Sequence, residues 1–136
     1  MTETPAPTAW PILHCTDARA TIDFLAEAFG FVPVVVIPGE NDAAQVAHAE
    51  LKWPEGGGVM LGSVGHDDGP FASRPPGVAS IYVVTDHPDD LFARAEKAGA
   101  EVVMGLTDTD YGSRDFSVRD PEGNLWSFGT YRGEPS

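Results

Sequence analysis

The sequence TDARATIDFLAEAFG at residues 16–30 is followed 69 residues later by a second stretch of the same plan, TDHPDDLFARAEKAG at residues 85–99. Both stretches begin with Thr-Asp and end with a glycine, Gly30 in the first and Gly99 in the second. Self-similarity at a fixed spacing indicates a repeated supersecondary unit. The 136 residues are therefore predicted to form two copies of one unit, which can face each other across a cleft.

Each copy is predicted to fold in the order β-α-β-β-β. Asp17 is suited to cap the first helix and Asp86 the second, because an Asp side chain accepts hydrogen bonds from the free N–H groups of a first turn. Gly30 is expected to end the first helix in the left-handed conformation. By apolar alternation, strands are expected at residues 12–16, 31–37, 44–51 and 59–63 and again at 79–84, 101–104, 115–119 and 125–131.

These elements divide the chain into segments. We expect modules at residues 10–64 and 78–131, flexible tails at 1–9 and 132–136, and a connecting loop at 65–77 that is rich in Gly, Pro and Asp.

The composition excludes several classes of function. Eight basic residues against 21 acidic ones give a net charge of −13, which argues against nucleic acid or an anionic membrane as a partner. No apolar run approaches the length of a membrane span, and the single Cys15 suits a reducing cytoplasm. The remaining expectation is a cytoplasmic protein that handles a small molecule.

Three motifs carry a family resemblance: Ala-Phe-Gly-Phe at 28–31, His-Ala-Glu-Leu at 48–51, and the run from Tyr111 to Asn124 with its Asp-Pro-Glu-Gly-Asn turn. Together with the element order they resemble the vicinal oxygen chelate superfamily, which groups glyoxalases, bleomycin resistance proteins and dioxygenases. The resemblance implies an α+β fold of two paired βαβββ modules that form a curved mixed sheet around a cleft. It also implies a homodimer, in some members with modules exchanged between chains.

The resemblance also locates the positions where metal-dependent members hold their ion. Here these positions carry Pro11, Met60, Ser80 and Ser127. Proline has no donor side chain, Met is a soft ligand, and neutral Ser hydroxyls bind divalent ions weakly. The sequence therefore predicts no metal and no cofactor, which is the pattern of the bleomycin-resistance-like branch.

The candidate catalytic residues are His48 and Glu50, which lie two apart on a strand and so share one face. The repeat places Ser117 and Arg119 at the matching positions of the second copy, where they are expected to line the same cleft. The His-Glu pair could be a general base with its orienting carboxylate, or a polar wall that hydrogen-bonds a ligand.

The remaining candidate ligand-binding residues are Ser127 and four with larger side chains. Tyr82 and Ser127 are expected on the floor of the cleft. Trp53 and Tyr111 are loop aromatics that could stack on a ligand, although Trp53 could instead close the sheet edge. Arg114 could anchor a carboxylate or phosphate, or form a structural salt bridge in this acidic chain.

Alternation also assigns a face to each residue of the first strand. His14 is expected on the helix side together with Ile12. Cys15 is expected on the cleft side with Pro11 and Leu13, as a small apolar residue and not a nucleophile.

Two functions follow from these features. The first is a metal-independent small-molecule-binding protein that sequesters its ligand. The alternative is a glyoxalase-like lyase or isomerase that uses His48 and Glu50 as base or as metal ligands.

Overall fold

The computed structural model describes residues 8–65 and 69–135. Residues 1–7 of the expected tail and 66–68 of the connecting loop lie outside this range. The first module consists of β1 Ile12–Cys15, α1 Ala18–Phe24 with a π-helical extension Leu25–Phe29, β2 Val32–Pro38, β3 Val46–Lys52 and β4 Gly58–Ser63. After a 3-10 turn at Pro70–Ser73, the second module consists of β5 Ser80–Val84, α2 Pro88–Lys97, β6 Glu101–Asp108, β7 Arg114–Arg119 and β8 Leu125–Gly129.

The two modules have the same topology. The strand order is β1-β4-β3-β2 in the first sheet and β5-β8-β7-β6 in the second. In both sheets the first and last strands of the module pair in parallel, and the other pairs are antiparallel. The prediction of an α+β fold with two βαβββ modules is confirmed.

The helix starts differ between the copies. The carboxylate of Asp17 accepts from the backbone N–H of Ala20, as predicted, and Gly30 ends the helical segment at φ 88°. The second helix begins one residue later than the repeat suggests, so its N-cap is His87 and the expected cap at Asp86 is wrong. Pro88 explains the difference, because proline fits the first position of a helix, where its missing N–H is not needed.

One hydrophobic core joins the two modules. Phe29, at the end of the first helical segment, packs on Trp126 and Phe128 of β8, with ring centroids 5.4 Å and 4.6 Å away. Phe31 packs on the same Trp126 at 5.5 Å. The helix sides of both sheets therefore contribute to a single buried cluster, and the opposite face of each sheet is left open.

The edge strands β2 and β6 are exposed along most of their length. Their exposed apolar side chains are Val32, Val34, Val36, Ile37, Val102, Val103 and Met104. Exposed apolar edge strands are uncommon in a monomer, because they offer unpaired backbone groups and apolar surface to another chain.

The faces of β1 are the reverse of those expected. Leu13 and Cys15 are buried against the first helix, whereas Ile12 is 57% exposed. His14 shares the open face with Ile12. Alternation separates the residues of β1 into two sets but does not fix which set faces the helix, and the packing against α1 decides it.

The Asp-Pro-Glu-Gly-Asn turn is held by a buried carboxylate. One oxygen of Asp120 accepts from the backbone N–H groups of Glu122, Gly123 and Asn124. The other oxygen accepts from Asn124 Nδ2 and Trp126 Nε1, both at 2.9 Å. This motif is a structural device that fixes the β7–β8 hairpin and ties it to the core.

Candidate functional site

The open face of the first sheet carries His48 and Glu50. His48 Nε2 lies 2.8 Å from Glu50 Oε2, and both side chains are partly exposed. Glu50 stands opposite Met60 on β4, and Ile37 of β2 stands opposite His48. The carboxylate therefore orients an imidazole that is accessible from the open face.

A cavity of about 210 Å³ lies beside this pair. Gly62 of β4 lies between His14 on β1 and His48 on β3. Because Gly62 has no side chain, β4 places none between the two imidazoles. His14 lines this cavity although it was expected on the helix side, and no sequence signal placed it here because the burial of Leu13 against α1 decides the face. The cavity is mainly apolar, and its lining consists of Ile12, Leu13, His14, Ala47, His48, Met60, Leu61, Gly62 and Phe71.

The open face of the second sheet carries three of the predicted ligand-binding residues side by side. Tyr82 of β5 stands opposite Ser127 of β8, which stands opposite Ser117 of β7. The two serine hydroxyls are hydrogen-bonded at 2.7 Å. Burial raises the pKa of the Tyr82 phenol, and its hydroxyl donates to the backbone carbonyl of Tyr131 at 2.7 Å. This row offers hydroxyl groups that can donate to or accept from a ligand.

Tyr111 lies at one end of the same face, beside residues that the sequence analysis did not single out. Its hydroxyl is 3.4 Å from Asp115 Oδ2, and its ring packs edge-on against Tyr131 with centroids 5.6 Å apart. The hydroxyl of Ser113 donates to the other oxygen of Asp115. Alternation with Ser117 would have placed Asp115 on this face, and alternation with Ser127 along the expected strand 125–131 would have placed Tyr131 there, although the strand ends at Gly129.

Arg119 lies on the open face at the opposite end of β7. Its Nε donates to Glu101 Oε2 at 2.8 Å, and another guanidinium nitrogen donates to the backbone carbonyl of Gly123. Its charge is therefore partly neutralised, but the side chain keeps exposed surface.

Two predicted ligand-binding residues are placed elsewhere. Trp53 is only 7% exposed, its ring packs on Phe31 and Phe128, and its Nε1 donates to the carbonyl of Val84. It is a mostly buried residue that links the modules, and its stacking on a ligand stays a prediction. The deciding contacts come from the other module and cannot be read from a loop position.

Arg114 is the second such residue. Its Nε donates to Asp89 Oδ1 at 2.7 Å and its Nη1 to Asp108 Oδ1 at 3.0 Å. These contacts raise the pKa of Arg114 and lower that of Asp89. Arg114 alternates with the buried Phe116 and so points to the helix side of the sheet. The structural salt bridge, which was the alternative interpretation, describes it.

The two halves of the expected cleft do not meet within the chain. His48 and Glu50 lie on the open face of the first sheet, while Ser117 and Arg119 lie on that of the second. The helix sides of both sheets contribute to one core, and these candidate residues lie on the opposite face of each sheet.

The described residues offer poor ligands for a metal ion. Of the four family positions, Met60, Ser80 and Ser127 lie on strands and Pro11 just precedes one, and none supplies a carboxylate or imidazole. Across residues 8–65 and 69–135, no group of three or more His, Cys, Asp or Glu side chains is arranged to hold a metal. The residues present therefore do not fit the metal centre of the metal-dependent members.

Two βαβββ modules that share a core and present two open sheet faces define a paired-module α+β protein. The model of the Glyoxalase/Bleomycin resistance protein/Dioxygenase superfamily matches residues 9–128. The chain belongs to this superfamily.

One relative of known sequence and two solved structures are similar to this chain. An uncharacterized protein from Mycobacterium bovis is 34% identical over 132 residues, which cover 90% of this chain and 82% of the relative. The crystal structure of TioX from Micromonospora sp. ML1 superposes with a TM-score of 0.74 at 30% identity, over 89% of this chain and 97% of TioX. TnmS3, an antibiotic binding protein from Streptomyces sp. CB03234, shares the fold with a TM-score of 0.64 at 24% identity, over 92% and 97% of the two chains.

In the part of the chain that the structure describes, no helix is long and apolar enough to cross a membrane.

Proposed function

We propose that this protein is a metal-independent small-molecule-binding protein that sequesters its ligand as a homodimer. One observation carries the proposal: the two sheet faces with the candidate residues lie on opposite sides of one core. A ligand site that uses both faces therefore needs a second chain, whose second sheet covers the first sheet of its partner.

The proposed site places the imidazole of His48 and the cavity of the first sheet opposite the row of Tyr82, Ser117 and Ser127 of the partner subunit. The first sheet contributes a mainly apolar floor, and the second contributes hydroxyl groups. Such a combination of apolar lining and a few convergent polar groups is typical of small-molecule sites. The exposed apolar residues of β2 and β6 would be buried in the same dimer, which accounts for their composition.

Binding without a metal is compatible with this fold. TnmS3 is described as an antibiotic binding protein and has the same fold. The absence of carboxylate or imidazole at the four family metal positions of this chain favours the same function, because the chemistry of the metal-dependent members uses a Lewis acid there.

One observation favours a second candidate, a glyoxalase-like lyase or isomerase. The bond of 2.8 Å between His48 and Glu50 is suited to a general base with an orienting carboxylate, and the imidazole borders a cavity. In this case His48→Ala and Glu50→Ala would abolish turnover while the fold remains intact.

The experiment is equilibrium dialysis against a panel of amine, carboxylate and neutral aromatic compounds, with both chambers analysed by mass spectrometry. Sequestration predicts that one compound is retained in stoichiometric amount, is recovered unchanged, and is retained less by Tyr111→Ala. Arg114→Lys is the matched control, because Arg114 points away from the open face. A product that accumulates beyond stoichiometry and disappears with His48→Ala would establish the enzyme and contradict the proposal.

Metal content measured on the same preparation by elemental mass spectrometry completes the test. We expect substoichiometric metal. About one transition metal ion per chain, removed together with binding by chelator, would contradict metal independence.

A further inference from the structure

All three tyrosines of the chain lie together at one end of the second sheet. Tyr82 reaches the backbone of Tyr131 through its hydroxyl, and the rings of Tyr111 and Tyr131 are in edge-to-face contact. All three side chains are exposed to solvent, although Tyr82 and Tyr131 make these contacts. Several aromatic rings are therefore exposed on one side of this sheet face. Such rings attract cations to the negative face of the ring.

A carboxylate lies among these rings. Asp115 is 7% exposed, and its oxygens accept from the hydroxyls of Ser113 and Tyr111. Among the described residues no Lys, Arg or His nitrogen lies within ion-pairing distance of it. A buried carboxylate without a counter-cation is costly unless enough donors surround it.

The buried carboxylate of Asp120 provides the comparison. It also lacks a cationic partner, but five N–H groups donate to it, so its charge is satisfied by the fold. Asp115 has two hydroxyl donors, of which the Tyr111 hydroxyl is distant at 3.4 Å. The fold thus leaves the charge of Asp115 incompletely compensated.

Gly129 makes room for this arrangement. A Cβ atom at this position would collide with the carboxylate of Asp115 and would come within 2.8 Å of the Tyr82 hydroxyl. The carboxylate and the phenol oxygen therefore converge above a backbone that carries no side chain. Any residue larger than glycine would displace them.

We propose that this cluster of Tyr82, Tyr111, Tyr131 and Asp115 binds the ammonium group of an organic cation. The rings supply cation–π contacts, and the ammonium group supplies the positive charge that no described side chain brings to Asp115. The net charge of −13 raises the local concentration of cations and disfavours anionic ligands. This inference rests on the proposed function, because it names the chemical class of the ligand in the same cleft.

An alkali or divalent metal ion fits the cluster less well. Such an ion prefers several carboxylate or carbonyl oxygens, whereas the cluster offers one carboxylate and phenol groups. The aromatic rings stabilise a quaternary or protonated amine through cation–π contacts. A hydrated metal ion would not contact the same rings closely.

The test compares two probes of the same shape, choline and the neutral 3,3-dimethylbutan-1-ol, by NMR titration of the wild-type protein at constant ionic strength with sodium as the counter-ion. We expect choline to shift the tyrosine resonances and to bind at least about tenfold more tightly than the neutral probe. Asp115→Asn is expected to remove this preference, while Asp110→Asn, an equal change of charge at an exposed neighbour, is expected to keep it.

Variants of Tyr111 keep the test independent of any folding defect in Asp115→Asn, because Tyr111 is largely exposed. Tyr111→Leu is expected to weaken choline binding about three- to tenfold, and Tyr111→Phe, which keeps the ring, less than about threefold. Equal binding of the two probes, or equal loss in Asp110→Asn and Asp115→Asn, would overturn the inference. If the wild type then retains an uncharged compound in the dialysis panel, the proposed function still stands and only the inference fails. If it retains no compound of the panel, the proposed function is contradicted together with the inference.

Discussion

Glu55 and Glu122 occupy equivalent positions in the two modules, and each carboxylate binds the strand–helix junction of the other module. Glu122 accepts from the backbone N–H groups of Thr16 and Asp17, both at 2.8 Å. Glu55 accepts from the hydroxyl of Thr85 and the backbone N–H of Asp86, also at 2.8 Å. Each glutamate follows a proline and precedes a glycine in a hairpin turn. The pair is a reciprocal connection between the modules, related by the internal twofold.

The two glutamates are therefore expected to stabilise the association of the modules. Glu122→Ala removes two charge-assisted hydrogen bonds at a partly solvated site, so we expect a loss of about 1 kcal/mol, or about 3–5 °C in Tm for a chain of this size. Glu55→Ala is expected to have a similar effect. Thermal unfolding followed by circular dichroism measures both, with Glu96→Ala on the exposed side of α2 as control. An effect no larger than that of the control would show that the connection is not stabilising.

The buried carboxylate of Asp120 predicts a larger effect. Asp120→Ala leaves the indole N–H of Trp126 and the amide of Asn124 without their acceptor in the core, together with three backbone N–H groups. We expect a loss of about 3 kcal/mol or more in the free energy of unfolding, measured by urea titration. Asp120→Asn keeps one acceptor oxygen and is expected to lose less. Equal stability of the Ala variant and the wild type would contradict this role.

The fold was predictable because the repeat and its turns are local signals. The 15-residue stretches at 16–30 and 85–99 fix two helices of the same orientation, and apolar alternation fixes the strands that follow. The face of β1 was not predictable, because alternation alone leaves open which of Leu13 and His14 is buried. Only the packing against α1 decides this.

The candidate site was predictable where it depends on alternation and not where it depends on tertiary contacts. His48, Glu50, Ser117 and Ser127 lie on open faces because their strands alternate regularly. Trp53 is buried by the ring of Phe128 in the other module, a contact that has no sequence signal. The separation of the two open faces depends on how the modules pack, which the sequence of one module does not encode.

Burial governs the chemistry of the single cysteine. It raises the pKa of the Cys15 thiol to about 12, so at pH 8 only about one thiol in ten thousand is ionised. We expect no reaction with iodoacetamide in the native state and complete labelling in urea, followed by mass spectrometry. Rapid native labelling would show that β1 opens or that Cys15 faces solvent.

The same thiol gives a pH dependence with a defined sign. An unfolded cysteine ionises with a pKa of about 8.5, whereas the folded one stays neutral up to about 12. The neutral folded thiol contributes stability that is fully present below about pH 8.5 and is lost as the pH rises towards 12. The urea midpoint of Cys15→Ala is therefore expected to fall less steeply between pH 8 and 10 than that of the wild type. An unchanged slope would contradict the burial of an ionisable thiol.

A binding site that spans two chains makes a prediction that a site within one chain does not. His48→Ala alters the first sheet, and Tyr82→Ala alters the second. In a mixed dimer of the two variants, one cleft combines both substitutions and the other combines two unaltered faces. We therefore expect one site of wild-type affinity per mixed dimer, although each variant alone has none, for a compound retained by the wild type in the dialysis panel.

Differently tagged chains, refolded together and purified through both tags, provide the mixed dimer, and calorimetry gives the number of sites and their affinity. The matched control pairs His48→Ala with Ile37→Ala, two substitutions on neighbouring residues of the first sheet. Both clefts of that dimer contain an altered first sheet, so no unaltered cleft is expected. If the mixed dimer of His48→Ala and Tyr82→Ala also lacks a wild-type site, each chain carries its own site, and the assignment of the two open faces to one shared cleft is wrong.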